Sequence, residues 1–332
     1  MSEQFKAFWI TETEPKKYSR EVVERGIDDL PAGDLLVRVR YSSLNFKDAL
    51  SSVGNKGVTR KFPHTPGIDA AGEVVSCADG RFQPGDQVLV TGHDLGMNTA
   101  GGFGQYIRVP SSWALPLPAG LTLAESMILG TAGLTAGLSV QALVGAGVVA
   151  DAGDILVTGA TGGVGSLAVA ILAAAGYRVV ASTGKQSEHD FLKSLGAAEV
   201  ISREAVTENC ERPMLSERWA GAVDCVGGTT LAAVLKATCA GGSVACCGLV
   251  GSPDLPINVF PFILRGVSLF GIDSAECDDQ RRARVWTNLA GEWRPARLGE
   301  LSREVGLDGL GAEIDKMLKG ESHGRVLVNL DL

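Results

Sequence analysis

The sequence predicts an α/β fold: a doubly wound parallel sheet, with a second, β-rich domain assembled from text on both sides of it. Residues 154–165 read as a short apolar strand and a glycine turn, and the apolar run 166–175 reads as a helix. From there to residue 272 strand-like and helix-like segments alternate, as parallel strands joined by crossover helices do. Residues 5–125 carry frequent turns and alternating apolar and polar positions, and residues 325–330 form one last strand-like run.

Taken in order, Leu35-Leu36-Val37-Arg38-Val39-Arg40-Tyr41 alternates as a half-buried strand does. Residues 82–90 and 101–109 each set a glycine turn ahead of a strand, and together these segments suggest a small barrel-like β domain. The proline-rich stretch 110–120 is a connector, and a helix is expected over 129–144. Beyond the glycine turn, strands are expected at 177–182, 198–202, 220–226, 241–249 and 267–272, with helices at 187–195 and 230–237. The strand at 325–330 implies that the chain returns to finish its first domain. The expected division is 1–125 with 273–332 for that domain and 126–272 for the parallel sheet, with an active site in the cleft between them.

A chain of 332 residues with 45% hydrophobic and 20% charged residues has ample core for two soluble domains. Its net charge of -8 argues against nucleic acid as a partner, yet a local basic patch can still hold a small anion. The cysteines are Cys77, Cys210, Cys225, Cys239, Cys246, Cys247 and Cys277; they form no C-x-x-C pair, and their odd number fits reduced thiols in the cytoplasm. The opening residues lack the basic region of a secretion signal. The apolar stretch 134–152 is broken by glycines and Gln141, so no membrane span is expected.

The turn Gly159-Ala160-Thr161-Gly162-Gly163-Val164-Gly165 carries the first chemistry. Unpaired N–H groups and a positive dipole at a helix start suit a pyrophosphate, so this strand, turn and helix form a dinucleotide-binding unit. Gly162 lets backbone approach phosphate, and Gly165 lets the helix pack on the strand. An NAD-selective protein places an acid at the end of the second strand; here stand Ser182, Thr183, Gly184 and Lys185. Two hydroxyls and a cation favour the 2′-phosphate of NADPH, and Arg203, after the next strand, could lie over the adenine or join the phosphate contacts. Ligands of such sheets lie beyond the carboxyl ends of the strands, which puts Thr161, Gly162, Gly163, Val164, residues 182–185, Val226, Gly248 and Leu249 on one edge.

The order of these segments resembles the medium-chain dehydrogenase/reductase superfamily over nearly the whole chain. The resemblance rests on Pro66-Gly67-Ile68-Asp69-Ala70-Ala71-Gly72, Pro84-Gly85-Asp86-Gln87-Val88, Gly130-Thr131-Ala132-Gly133-Leu134-Thr135-Ala136 and the glycine turn. Ser42-Ser43-Leu44-Asn45-Phe46-Lys47-Asp48, Pro261-Phe262-Ile263-Leu264-Arg265-Gly266-Val267 and Gly324-Arg325-Val326-Leu327-Val328 make it most similar to the zinc-independent, quinone-oxidoreductase-like branch and its acrylyl-CoA reductases. The resemblance implies a Rossmann domain beside a GroES-like catalytic domain, usually in a homodimer paired through a strand such as 267–272. Where zinc-dependent members carry their ligands, this chain offers Asn45 and Gly67-Ile68-Asp69, so no metal is expected.

The activity implied is hydride addition to the alkene of acryloyl-CoA, whose thioester polarises it, with hydrogen-bond donors at the developing enolate. Tyr41 and Asn45 are the candidate donors or cofactor-positioning groups, and Asp48 could orient them. Core packing for Tyr41, a self-bonded turn for Asn45 and a helix-start acid for Asp48 are the alternatives. Lys56, Arg60 and Lys61, in a loop near Lys47, and Arg325 are candidates for the CoA phosphates. The resemblance implies Thr131 and Thr135 near the nicotinamide, and Leu249, Ile263, Ser274 and Asn329 around the ribose and carboxamide. A quinone or enone reductase, or an NADPH-binding protein without catalysis, are the rival readings.

Overall fold

The computed structural model describes residues 3–332 and divides into two compact units, Met1–Thr131 with Leu298–Leu332, and Ala132–Arg297. The first unit opens with β1 (Gln4–Glu14) and β2 (Lys17–Gly26), an antiparallel pair. Next come β3 (Leu35–Ser43), the short helix α1 (Phe46–Ser51), β4 (Asp69–Cys77), β5 (Gln87–Thr91), β6 (Tyr106–Val109) and β7 (Ala114–Pro116). Helix α2 (Leu123–Gly145) is broken at Gly130, whose φ of 53° and ψ of -156° are not helical. By length and composition it could cross a membrane, but most of it is buried as a core helix is.

The second unit continues with β8 (Ile155–Val157), α3 (Gly163–Ala174), β9 (Val179–Thr183), α4 (His189–Ser194), β10 (Glu199–Ser202) and α5 (Arg203–Thr207). It goes on through β11 (Trp219–Asp224), α6 (Gly228–Ala237), β12 (Thr238–Cys246), α7 (Phe260–Arg265), β13 (Ser268–Gly271) and α8 (Asp279–Ala290). The chain then returns to the first unit with β14 (Ser302–Val305), α9 (Leu307–Leu318) and β15 (Arg325–Asn329).

In the second unit the strand order is β10-β9-β8-β11-β12-β13, all pairs parallel. This is the doubly wound order, with its switch point between β8 and β11. Every residue of β8, β9 and β11 is buried, as strands covered on both faces must be. The first unit holds a seven-stranded sheet in the order β14-β15-β3-β4-β5-β7, with β6 also on β3. Its pairs are antiparallel except β14 with β15. Leu35, Val37, Val39, Val88, Val90, Ile107, Val109, Val326 and Val328 fill its core.

The division differs from the expected one at both crossings. The first falls after Thr131, because the chain up to that residue is tied into a network around Asp69. The second falls at Leu298, twenty-five residues past the expected 273, because α8 packs on α2. A side chain at Gly137 would lie 2.5 Å from Val285 Cγ1, and Arg281 Nε donates to Gln141 Oε1 at 2.8 Å. Residues 241–249 were expected as a strand and its ligand-facing end; β12 begins earlier, at Thr238, and ends at Cys246, with Gly248 and Leu249 following it.

Candidate active site

Of the predicted cofactor residues, 161–164, 182–185, Val226, Gly248 and Leu249 lie at the carboxyl ends of the second unit's strands, whereas Tyr41, Thr131 and Asn329 belong to the first unit. The chain leaves β8 through Gly159, whose φ of 59° turns it back, and Gly162 precedes α3 with no side-chain cap. The first N–H groups of a twelve-residue helix are therefore left for an anion. A Cβ at Gly165 would lie 2.3 Å from the Gly159 carbonyl oxygen and 2.8 Å from Ala160 Cα, so only glycine lets the helix start so close to the turn.

Asp224, at the end of β11, was not foreseen as a site residue. It is fully buried, accepts from Thr158 Oγ1 at 2.6 Å, and takes N–H bonds from Gly227 at 2.7 Å and Val226 at 3.3 Å. It thus fixes the turn that carries Val226. Burial pushes its carboxyl above the usual range, against those donors. The signal for it was an acid inside an otherwise apolar strand.

At the end of β9 Ser182 and Thr183 are buried, and Thr183 Oγ1 accepts the Lys185 N–H at 3.0 Å, which fixes the turn and leaves the hydroxyl hydrogen to donate. The exposed groups are Gly184 and Arg203. A Cβ on Gly184 would fall 2.0 Å from Arg203 Nη2 and 2.2 Å from its Nε, so the guanidinium lies directly on the glycine backbone. With Lys185 next in the chain, this corner fits a phosphate dianion.

Gly248 rests on Cys225, whose carbonyl oxygen a Cβ would meet at 2.2 Å. Leu249 is 65% exposed beyond it. Thr135 Oγ1 bonds Ser274 Oγ at 2.8 Å, joining two residues that only the resemblance had associated. Ile263 stands 68% exposed on α7.

In the first unit Asn45, Asp48, Thr131 and Arg325 come together with Ser43 and Asp69. Asp69 is fully buried and accepts from Ser43 Oγ at 2.6 Å, Asn45 Nδ2 at 2.7 Å and Thr131 Oγ1 at 2.6 Å. Arg325 donates to Ile128 O at 2.9 Å, Ser43 Oγ at 2.8 Å, Asn45 Oδ1 at 3.2 Å and Leu44 O at 3.3 Å. Burial lowers the guanidinium's pKa, opposed by the charges of Asp69 and Asp48. A Cβ at Gly130 would meet Asp69 Oδ2 at 2.5 Å and Ser43 Oγ at 2.6 Å, so the break in α2 is where the chain passes over this network.

Three expectations are corrected here. Arg325 is 2% exposed and fully engaged, so it cannot meet a CoA phosphate. Asn45 spends its amide hydrogens on Asp69 and on Ser43 O at 3.2 Å, leaving none for an enolate. Asp48 accepts from the N–H groups of Asn45 at 2.8 Å, Ile68 at 2.9 Å and Gly67 at 3.1 Å; it caps α1 and clamps the turn before Asp69. Burial, aided by the charge of Asp69 and opposed by those donors, pushes its pKa up to about 7.

Tyr41 differs. Half-buried on β3, opposite Asn329 of β15, its hydroxyl bonds no other described residue. Asn329 itself donates to Glu304 Oε1 at 2.6 Å and accepts the Asp331 N–H at 2.9 Å. In the basic loop, Lys56 Nζ lies 4.8 Å from the Phe62 ring centre and 3.5 Å from Glu12 Oε2, while the Arg60 and Lys61 side chains bond no other described residue.

Residues 31–119 match the family of alcohol dehydrogenase GroES-like domains, and residues 163–290 match the zinc-binding dehydrogenase family. The acrylyl-CoA reductase AcuI of Ruegeria pomeroyi is 45% identical over 96% of this chain and 96% of its own. The chain belongs to the medium-chain dehydrogenase/reductase superfamily. Two solved members are similar throughout. YhdH of Escherichia coli K-12 with bound NADPH has a TM-score of 0.94 and 43% identity over 98% of this chain and 99% of its own. The yhfP protein of Bacillus subtilis with NAD bound has a TM-score of 0.97 and 44% identity over 99% and 100%.

The zinc implied by one family's description does not fit these residues. Asn45 and Asp69, at the positions the superfamily resemblance assigns to zinc ligands, are bonded to each other, with the Arg325 guanidinium against Asn45. No group of three or more His, Cys, Asp or Glu among the described residues could hold a metal ion. A dinucleotide does fit, at the uncapped start of α3 and the Gly184–Arg203 corner.

Proposed function

We propose that the protein reduces the C=C bond of acryloyl-CoA to give propanoyl-CoA, with NADPH as cofactor. The observation that carries this reading is the closed Asn45–Asp69–Arg325 network in a chain whose nucleotide edge is intact. Alcohol oxidation in this superfamily relies on a Lewis acid for its alkoxide, whereas a conjugated thioester activates its own alkene and needs only donors at its oxygen. The likeness to an acrylyl-CoA reductase at 45% identity supports the same substrate class.

Bound NADPH supplies the hydride. Thr161, Gly162, Gly163 and Val164 hold its pyrophosphate, and Gly184, Lys185 and Arg203 its 2′-phosphate. Tyr41 donates its phenolic proton in a hydrogen bond to the thioester oxygen as negative charge grows there. Arg60 and Lys61 attract the CoA phosphates, for which an acidic protein needs a local cation site. The protein works in the cytoplasm as a homodimer, paired along β13, the outer strand of its sheet. Exposed Val259, Phe260, Ile263 and Leu264 on and beside α7 support that face as the contact.

A second reading, quinone or enone reduction, is favoured by the quinone-oxidoreductase name of the Bacillus subtilis relative YhfP, 46% identical over 91% of this chain. Loss of NADPH absorbance separates the two when acryloyl-CoA, crotonyl-CoA and a simple quinone are compared. Rapid turnover of acryloyl-CoA alone is expected, with a raised KM for the CoA ester when Arg60 and Lys61 become alanine. Turnover of quinone alone would establish the second reading, and NADPH binding without any turnover would remove both.

A further inference from the structure

The second unit holds a pair of thiols that the cofactor site does not use. In the β11–β12 register Asp224 stands opposite Cys246, so the next residue on each strand, Cys225 and Cys247, leaves the sheet side by side. Their sulfurs lie 3.7 Å apart, and both residues are half-buried. The Cys247 N–H donates to Asp224 O at 2.9 Å, which fixes the two backbones at this level. Neighbouring strands run about 4.8 Å apart, within the Cα separation that a disulfide spans. Cys246 is a built-in contrast: its sulfur approaches Gly248 O at 3.8 Å and Asp224 Oδ2 at 4.0 Å, and it has no thiol contact of its own.

We propose that Cys225 and Cys247 form an oxidative modification site, a dithiol that hydrogen peroxide closes to a disulfide at the carboxyl edge of the sheet. The Cys247 thiolate attacks one oxygen of the peroxide: the S–O bond forms, the O–O bond breaks, and the departing hydroxide takes a proton to become water. Cys225 then attacks the sulfenic sulfur. The S–S bond forms, the S–O bond breaks, and the second hydroxide leaves as water with the Cys225 proton. Two thiols are oxidised and one peroxide is reduced to two waters. The order follows from the surroundings. A hydrogen bond with Cys247 and burial push the Cys225 thiol well above its ordinary range, so it keeps its proton until the sulfenic acid stands beside it.

Closing the bond draws the sulfurs to about 2.05 Å. The movement falls on chain that carries the cofactor edge, since Val226 follows Cys225 and Gly248 is seated on the Cys225 backbone. The disulfide therefore weakens NADPH binding, and bound NADPH slows its formation; this part rests on the cofactor reading above, while the cross-link itself does not.

The test is to treat the full-length protein with hydrogen peroxide, alkylate it in denaturant without reductant, and weigh it. Five of its seven cysteines are expected to stay alkylatable, with one cross-linked peptide joining Cys225 and Cys247, reversed by dithiothreitol. Cys247→Ser and Cys225→Ser are expected to abolish the cross-link, and Cys246→Ser to leave it. Seven alkylatable thiols after treatment, or Cys247 carried to the sulfinic acid without a cross-link, would overturn the site on the unmodified chain alone. A cross-link that forms equally fast with and without saturating NADPH would overturn its connection to the cofactor edge.

Discussion

In the first unit Ser43, Asn45, Asp48, Asp69, Thr131 and Arg325 meet as hydrogen-bond partners, and almost nothing polar in them is left over. In the second unit the start of α3 has no side-chain cap, and Arg203 rests on Gly184 with its face to solvent. One cluster is closed and the other open, although both are built from residues of a kind that catalysis uses. Residue type therefore nominates a site, but only the count of unspent donors and acceptors separates a framework from a ligand surface.

The largest effect is expected where the closed cluster is opened. Arg325→Met takes the donor from Ile128 O, Leu44 O and Asn45 Oδ1 and the positive charge from beside buried Asp69, and should cost about 3–5 kcal/mol in urea unfolding. A change below about 1 kcal/mol would mean that water already reaches the cluster.

Asp48 sharpens the same point through pH. Its folded pKa of about 7 lies above the usual carboxylate value, so between about pH 4 and 7 the folded state holds a proton that the unfolded chain has released. Stability of the parent relative to Asp48→Asn should fall across that window, by at most ~1.36 kcal/mol per pH unit, and stay level above it. Paired denaturation curves at several pH values would show it, and a flat difference would place the carboxylate in contact with solvent.

Tyr41 is the exception inside the first unit. Tyr41→Phe should lower kcat with acryloyl-CoA about a hundredfold with little change in KM, as loss of an oxyanion donor does. Equal kcat for both proteins would return Tyr41 to core packing.

The smallest effects belong to the open cluster. Arg203→Ala should weaken NADPH about tenfold against NADH, the loss of one charge-assisted contact. Gly184→Ala should act the same way and more weakly, about threefold, by pushing the guanidinium aside. Fluorescence titration with both nucleotides tests the pair; if Gly184→Ala still matters once Arg203 is alanine, the glycine acts by another route.

Much of this was legible in the chain. Strand, glycine turn and helix at 154–175 announced the parallel sheet, because apolar runs and glycine positions are local signals. The strand at 325–330 correctly implied a return to the first unit. The place of that return was hidden, because nothing local in α8 says that it packs on Gly137. Arg325 was misjudged for the same reason: an arginine in a strand reads as a surface cation until its four partners, drawn from distant segments, are in view. Asp69 and Asp224 had one faint signal each, a single acid in an apolar run. Gly130 was legible only as part of a family motif, and the need for glycine there appears only with Asp69 and Ser43 beneath it.

That network also orders the making of the molecule. The second unit is one unbroken stretch, Ala132–Arg297, and has all its strands once the ribosome has passed residue 297. The first unit is begun earlier but needs β15, which brings Arg325 to Ser43 and Asn45 from the far end of the chain. Until then Asp69 and its neighbours have no cation to close around. The domain begun first is thus the last to mature, and the end of β3 at Tyr41, Ser42 and Ser43, which β15 covers, stays open to wrong partners until β15 has been made.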